Sequence, residues 1–356
     1  MTISWVEATH PAAANPHRFS WCIHSGSFFP MIEPIHDFRL LSQCHGLIED
    51  LREDPRPRVL VIPNPKVEAE RVENGVGVFP ASFNPVTQGH IAIVRRAAEI
   101  AALQEVLLLL DIQAMDKEIF GATLVDRLLM MRILFDGDPL VSVGVSNRGR
   151  FLAKVDALRE TYPRATDITF IVGYDTLERV FDPKYYEDRE RALDQLFASC
   201  TFMVANRGVY GREAVQKLTA SAENERFRDM VRFFEIPHEL ARISSSAVRQ
   251  RVTEGRTIDR LVPAQVRKFI EEAKLYRGGC TVGRRGARVN LYEVRTRVLS
   301  RLYGLFPQGG VTIDIGKVVD GVVKGMGDDR SFGAALDGTL HKAPELGGKN
   351  IGAPKK

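Results

Sequence analysis

The run Val78-Phe79-Pro80-Ala81-Ser82-Phe83-Asn84-Pro85-Val86-Thr87-Gln88-Gly89-His90 confines this chain more tightly than any other stretch. Gly75 to Phe79 is apolar and bounded like a buried strand, and Pro80 and Pro85 fix the backbone where pairing has to stop. Asn84-Pro85 opens a tight turn. Thr87 is placed to cap a helix, and Ile91, Ile93, Val94 and Ala97 fall at the spacing of an amphipathic one. Gly89 lets backbone or ligand come close, and His90 sits in the first helical turn. Strand, turn and helix N-terminus together make an anion site, because the first N–H groups of a helix lack partners within it and its dipole favours negative charge there. The segment predicts a place for a phosphate or a nucleotide.

Two further segments carry chemistry. Ile243-Ser244-Ser245-Ser246-Ala247-Val248-Arg249 sets three hydroxyls at a helix start ahead of an arginine. Hydroxyls there can cap N–H groups or bond phosphate oxygens, and a guanidinium is a planar cation suited to polyphosphate. Phe170-Ile171-Val172-Gly173-Tyr174-Asp175-Thr176-Leu177 is an apolar strand ending in Gly-x-Asp, where a carboxylate can accept ribose hydroxyls beside a closely approaching backbone. Phe181-Asp182-Pro183-Lys184-Tyr185-Tyr186 and Phe202-Met203-Val204-Ala205-Asn206-Arg207 follow it.

These residues resemble the nucleotidylyltransferases, whose signatures are (T/H)xGH after a GSFNP-type turn and a later ISSTxxR. Thr87 to His90 and Ser82 to Pro85 match the first, with Ala81 where the family has glycine, and Ile243 to Arg249 match the second with Ser246 in the threonine position. The GYDT and DPKYY segments are similar to those of nicotinamide-mononucleotide adenylyltransferase and its divergent relatives. The resemblance implies transfer of the adenylyl group of ATP, bound with Mg²⁺, to nicotinamide mononucleotide, by direct in-line attack on the α-phosphate that releases pyrophosphate and gives NAD. It implies His90, Thr87 and Arg249 as catalytic residues, and ATP contacts from Phe79, Ser82, Phe83, Gly89, Ser244, Ser245, Ser246 and Lys117. Gly173, Asp175, Tyr186, Asn206 and Arg207 would bind ribose or acceptor. Asp126-Arg127 resembles the acid–arginine pair that starts a helix in the family.

Two departures bear on the acceptor. The tryptophan that follows the Gly-x-Asp helix in the family is replaced by Tyr186, and the SYTxxT-like stretch by Phe151-Leu152-Ala153-Lys154. The first motif alone is equally similar to pantetheine-phosphate adenylyltransferase. Nucleotidylyl transfer to another phosphorylated metabolite, pantetheine-phosphate-like or cytidylyltransferase-like, and a catalytically silent nucleotide-binding protein therefore stay open.

Strand-like runs at Val106 to Leu110, Leu140 to Val143 and Phe170 to Val172 alternate with helical patterns at Thr123 to Phe135, Ala153 to Thr161 and from Thr176 onward. The alternation predicts an α/β fold, a Rossmann-like doubly wound parallel sheet covered on both faces. The catalytic region spans 74–277. Residues 1–73 form an extension packed on the main sheet, with a helix at Phe38 to Arg52 and a strand at Arg58 to Ile62. Residues 278–356 carry a helix at Leu291 to Tyr303 and then a Gly-rich tail expected to be loose towards its end. Gly26-Ser27-Phe28-Phe29-Pro30 with His36 echoes the first motif but has the wrong spacing and no glycine before the histidine.

Composition narrows the class. At +4 overall, with 49 basic and 45 acidic residues interspersed, the chain suits anionic metabolites and falls short of a nucleic-acid footprint. Four cysteines without CxxC spacing suggest neither a disulfide framework nor a zinc site, and no apolar run approaches the roughly 20 residues that span a bilayer. The expectation is a soluble cytoplasmic enzyme with no nucleic-acid or membrane partner, self-association being left open.

Overall fold

In the computed structural model, strands and helices alternate along the chain. The order is α1 (Phe38–Glu53), β1 (Val59–Ile62), β2 (Val76–Ala81), α2 (Gln88–Ala101), β3 (Glu105–Asp111), α3 (Leu124–Phe135), β4 (Val141–Ser146), α4 (Phe151–Leu158), β5 (Ile168–Gly173), α5 (Tyr174–Phe181) and α6 (Arg189–Phe197). Then come β6 (Thr201–Ala205), α7 (Arg212–Thr219), β7 (Val231–Phe234), α8 (His238–Ala241), α9 (Ser245–Thr253) and α10 (Ala264–Glu272). A hairpin of β8 (Cys280–Val282) and β9 (Ala287–Val289) leads into α11 (Leu291–Leu305), α12 (Ile315–Gly327) and α13 (Phe332–Leu340). The structure describes residues 32–62, 75–112, 121–162, 166–206, 210–282, 287–307, 309–328 and 330–341. The Gly26 to Pro30 echo, Lys117 and Arg207 lie outside them.

The main sheet has seven strands in the order β1-β4-β3-β2-β5-β6-β7, all parallel except β1, which runs antiparallel along β4 at one edge. The chain winds outward from β2 through β3 and β4, then crosses to β5, β6 and β7 on the other side. In open α/β sheets ligands bind at such a reversal, outside the carboxyl ends of the strands. Here the reversal lies between β2 and β5, and the first motif and Gly173-Tyr174-Asp175 leave those two strands.

Central strands buried on both faces read as unbroken apolar runs. Val106, Leu107, Leu108, Leu109 and Leu110 of β3 are all fully buried. Val106, Leu108 and Leu110 face a layer that includes residues of α1, α2, α3 and α10, while Leu107 and Leu109 face one that includes α4, α5, α6 and α7.

Both terminal extensions pack against the catalytic region. β1 completes the main sheet, and Phe38 of α1 stacks on Tyr303 of α11 at 5.7 Å. Beyond α11, Ile315, Val318 and Val322 of α12 and Ala335 and Leu336 of α13 belong to the same core as the catalytic region. The glycines that suggested looseness allow helices to touch: a Cβ on Gly321 would lie 2.7 Å from Thr339 Cγ2, and one on Gly325 2.8 Å from Ala335 Cβ. Residues 342–356 fall outside the described residues. Among the described residues no helix is long and apolar enough to cross a membrane.

Candidate active site

The loop after β2 is built around a reciprocal cap. The Thr87 N–H donates to His90 Nδ1 at 3.0 Å, and the His90 N–H donates to Thr87 Oγ1 at 3.4 Å. Each side chain thus satisfies a donor that the start of α2 would leave unpaired. Because Nδ1 accepts an N–H, the neutral imidazole carries its proton on Nε2, which makes that nitrogen a donor. Phe79 and Phe83 enclose the ring with centroids 5.8 and 5.4 Å away, and both are buried. Their side chains are therefore core, and only their backbone is placed to meet a ligand. Phe83 holds a left-handed backbone, φ 41°, just before the cis Asn84-Pro85 bond.

The second motif lies directly on this loop. Ser244 caps α9 by accepting the Ala247 N–H at 3.1 Å, and the Ser245 hydroxyl donates to the Pro85 carbonyl at 2.8 Å. Arg249 donates from Nη1 to the Asn84 carbonyl at 2.7 Å and from Nη2 to the Ser246 hydroxyl at 3.1 Å. Gly89 is the contact point on α2: a Cβ there would stand 2.8 Å from the Leu240 carbonyl oxygen. Two segments some 160 residues apart in sequence thus converge on one turn.

A third group fixes the turn from the opposite side. Asn84 Oδ1 accepts the Tyr276 hydroxyl at 2.8 Å and the Ala122 N–H at 3.3 Å. Arg127 donates from Nε to the Ala122 carbonyl at 2.9 Å and from Nη1 to the Ser82 carbonyl at 3.4 Å. Burial lowers the pKa of Arg127 and the Arg249 charge lowers it further, so two guanidinium groups sit within electrostatic reach of each other around the loop. That arrangement favours an anion between them. Tyr276 was not legible as a site residue. Nothing local marks the partner of its hydroxyl, 192 positions away.

On the β5 side, Gly173 ends the strand and Asp175 is exposed in the first turn of α5. Tyr174 between them stacks on Tyr210 at 4.4 Å. Two expected acceptor contacts are occupied with fold. Asn206 accepts the Ile236 N–H at 2.8 Å and donates to the Ile236 carbonyl at 3.1 Å, so its amide clamps the ends of β6 and β7. Tyr186 donates its hydroxyl to the Val180 carbonyl at 2.5 Å and packs its half-buried ring against the core. Beyond β3, Lys154 bonds the Arg148 and Gly149 carbonyls at 2.6 and 2.8 Å and pairs with Asp111 at 3.1 Å. Burial outweighs the attraction within this pair, pushing the Asp111 carboxyl up to about 6 and the Lys154 ammonium down.

The cytidylyltransferase-like family model matches residues 78–251, from β2 through the Arg249 motif. Those residues are similar to the nucleotidylyltransferase superfamily. A probable nicotinate-nucleotide adenylyltransferase of Gloeobacter violaceus is 29% identical over 211 residues, 56% of this chain and 95% of that protein. One of Bordetella avium is 28% identical over 204 residues, 57% of this chain and 98% of that protein. A solved Plasmodium falciparum nicotinic acid mononucleotide adenylyltransferase aligns with TM-score 0.44 and 16% identity over 57% of this chain and 97% of its own. This chain is an enzyme of the nucleotidyltransferase class, similar to the mononucleotide adenylyltransferases, and its α11 to α13 lie beyond the matched family region.

Proposed function

We propose that this nucleotidyltransferase joins the adenylyl group of ATP to a pyridine mononucleotide, nicotinate mononucleotide before nicotinamide mononucleotide, releasing pyrophosphate. A phosphate oxygen of the acceptor forms a bond to the α-phosphorus as the bond from that phosphorus to the bridging oxygen of pyrophosphate breaks. No covalent enzyme intermediate is needed. The protein has to hold two mutually repelling anions in line and stabilise charge at the α-phosphate and leaving group.

The observation that carries this reading is the His90 ring, whose Nδ1 is committed to the Thr87 N–H so that Nε2 is left as the donor. In this reading Nε2–H bonds the α-phosphate oxygens, assisted by Thr87, Ser82 and the backbone at Phe79, Phe83 and Gly89. Arg249, with Ser244, Ser245 and Ser246 at the start of α9, holds the β- and γ-phosphates, and Lys117 adds a further cation. Gly173 and Asp175 receive ribose. Arg207, with the neighbourhood of Tyr186 and Asn206, would bind the acceptor. Among the described residues no three carboxylates, histidines or cysteines are grouped to hold a metal. In this reading Mg²⁺ would arrive with ATP, held by phosphate oxygens and water, and would neutralise triphosphate charge.

The preference for the nicotinate acceptor comes from the relatives' activities, whereas the Gly-Tyr-Asp and Asp-Pro-Lys-Tyr-Tyr segments suggested nicotinamide. Purified protein with ATP, Mg²⁺ and nicotinate mononucleotide, nicotinamide mononucleotide or phosphopantetheine, scored by pyrophosphate release, ranks them. Release with a pyridine mononucleotide and not with phosphopantetheine is expected. Release with phosphopantetheine alone, or with no acceptor, would overturn the reading.

A further inference from the structure

Helix α11 lies outside the matched family region, yet it reaches the phosphate loop in very few bonds. Asn290 caps α11 by accepting the N–H groups of Tyr292 and Glu293, which fixes Tyr292 in the first turn. The Tyr292 hydroxyl accepts the Thr123 N–H at 2.7 Å and donates to Asp126 at 2.9 Å. One turn further on, Arg295 donates to the other oxygen of the same carboxylate at 2.7 Å, with both side chains buried. In the peptide that supplies the Thr123 N–H, the Ala122 carbonyl accepts from Arg127, and the Ala122 N–H just before it donates to Asn84. Asn84 in turn presents its own carbonyl to Arg249.

From these contacts we propose that α11 is a positioning element for the phosphate loop: Tyr292, backed by Arg295 and Asp126, clamps the Ala122–Thr123 segment that orients Asn84 and the carbonyl bearing Arg249. The extension beyond the catalytic region is thus wired to the residues that hold the triphosphate. The catalytic part of this inference rests on the adenylyl-transfer reading. The positional part does not. Tyr292 and Arg295 touch no substrate and act through the loop, so their loss lowers the population of the aligned loop instead of removing a contact to ATP.

Tyr292→Phe keeps the ring and removes only the hydroxyl. Tyr303→Phe is the matched control, since Tyr303 is on the same helix and its hydroxyl makes no hydrogen bond among the described residues. With the full chain, Tyr292→Phe should speed backbone amide exchange across residues 82–90 about tenfold, as expected when one anchoring hydrogen bond is lost. It should lower kcat by about tenfold with the KM for ATP within twofold, while Tyr303→Phe matches wild type. Unchanged exchange across 82–90 in Tyr292→Phe would overturn the proposal, as would equal effects of the two variants. A wild-type protein without activity on pyridine mononucleotides would refute the functional reading, and the exchange measurement would still decide the clamp.

Discussion

Replacing Arg295 with methionine keeps the length and packing of the side chain and removes its charge. The partner, Asp126, is fully buried and 2.7 Å away, so the substitution leaves a carboxylate without its cation in the core. Breaking a buried pair from one side costs about 3–5 kcal/mol. Asp126 keeps the Tyr292 and Thr123 hydroxyls as donors, which places the cost towards the lower figure. The lost bond from Arg295 to the Ile35 carbonyl adds about 1 kcal/mol. A total near 4 kcal/mol corresponds to a fall of about 8–16 °C in Tm, at roughly 2–4 °C per kcal/mol for a domain of this size. Thermal and urea unfolding of Arg295→Met and of Arg295→Met/Asp126→Asn measure it. The second substitution neutralises the stranded carboxyl and should restore more than half of the loss. A loss under about 1 kcal/mol in the single variant, or no recovery in the double one, would refute the reasoning.

Other substitutions separate the parts of the site. His90→Asn places an amide oxygen where Nδ1 accepts the Thr87 N–H but removes the Nε2 donor. In steady-state assays kcat should fall about 10²–10³-fold, with thermal unfolding little changed. Gly89→Ala forces a Cβ to 2.8 Å from the Leu240 carbonyl, so α2 and the α8–α9 segment must part. Calorimetry should show about 1–3 kcal/mol of destabilisation together with a raised KM for ATP. The Asp111 carboxyl, held at about 6 in the fold and near 4 when unfolded, contributes stability below pH 4 that is lost as pH rises through 6. Urea titrations should show wild type losing stability relative to Asp111→Asn between pH 4 and pH 7. The reverse trend would mean that Lys154 governs the pair.

What the sequence disclosed was local in origin. The turn from Ser82 to His90 announces itself through one proline, a capping threonine and one glycine, all within a few residues, and its helix and cap stand where the pattern put them. The alternating pattern likewise revealed the parallel sheet, because central strands such as β3 need apolar side chains on both faces. The contacts that lock the loop were not legible. Tyr276 and Tyr292 reach partners 192 and 166 positions away, and a tyrosine in a helical or loop pattern carries no mark of where its hydroxyl goes. Asn206 stands at a strand end, a position suited to ligand, and its sequence does not show that its amide also bonds the Ile236 backbone just beyond β7. That Gly321 and Gly325 serve close helix contact was likewise not legible, since composition alone does not distinguish such glycines from those of a loose segment.

Where the label of [α-³²P]ATP goes tests the central claim most directly. With nicotinate mononucleotide and Mg²⁺, the account predicts radioactivity in the dinucleotide, none in the released pyrophosphate, and near-complete loss of transfer in His90→Asn. Label recovered as free AMP or ADP, or transfer that survives in His90→Asn, would contradict it.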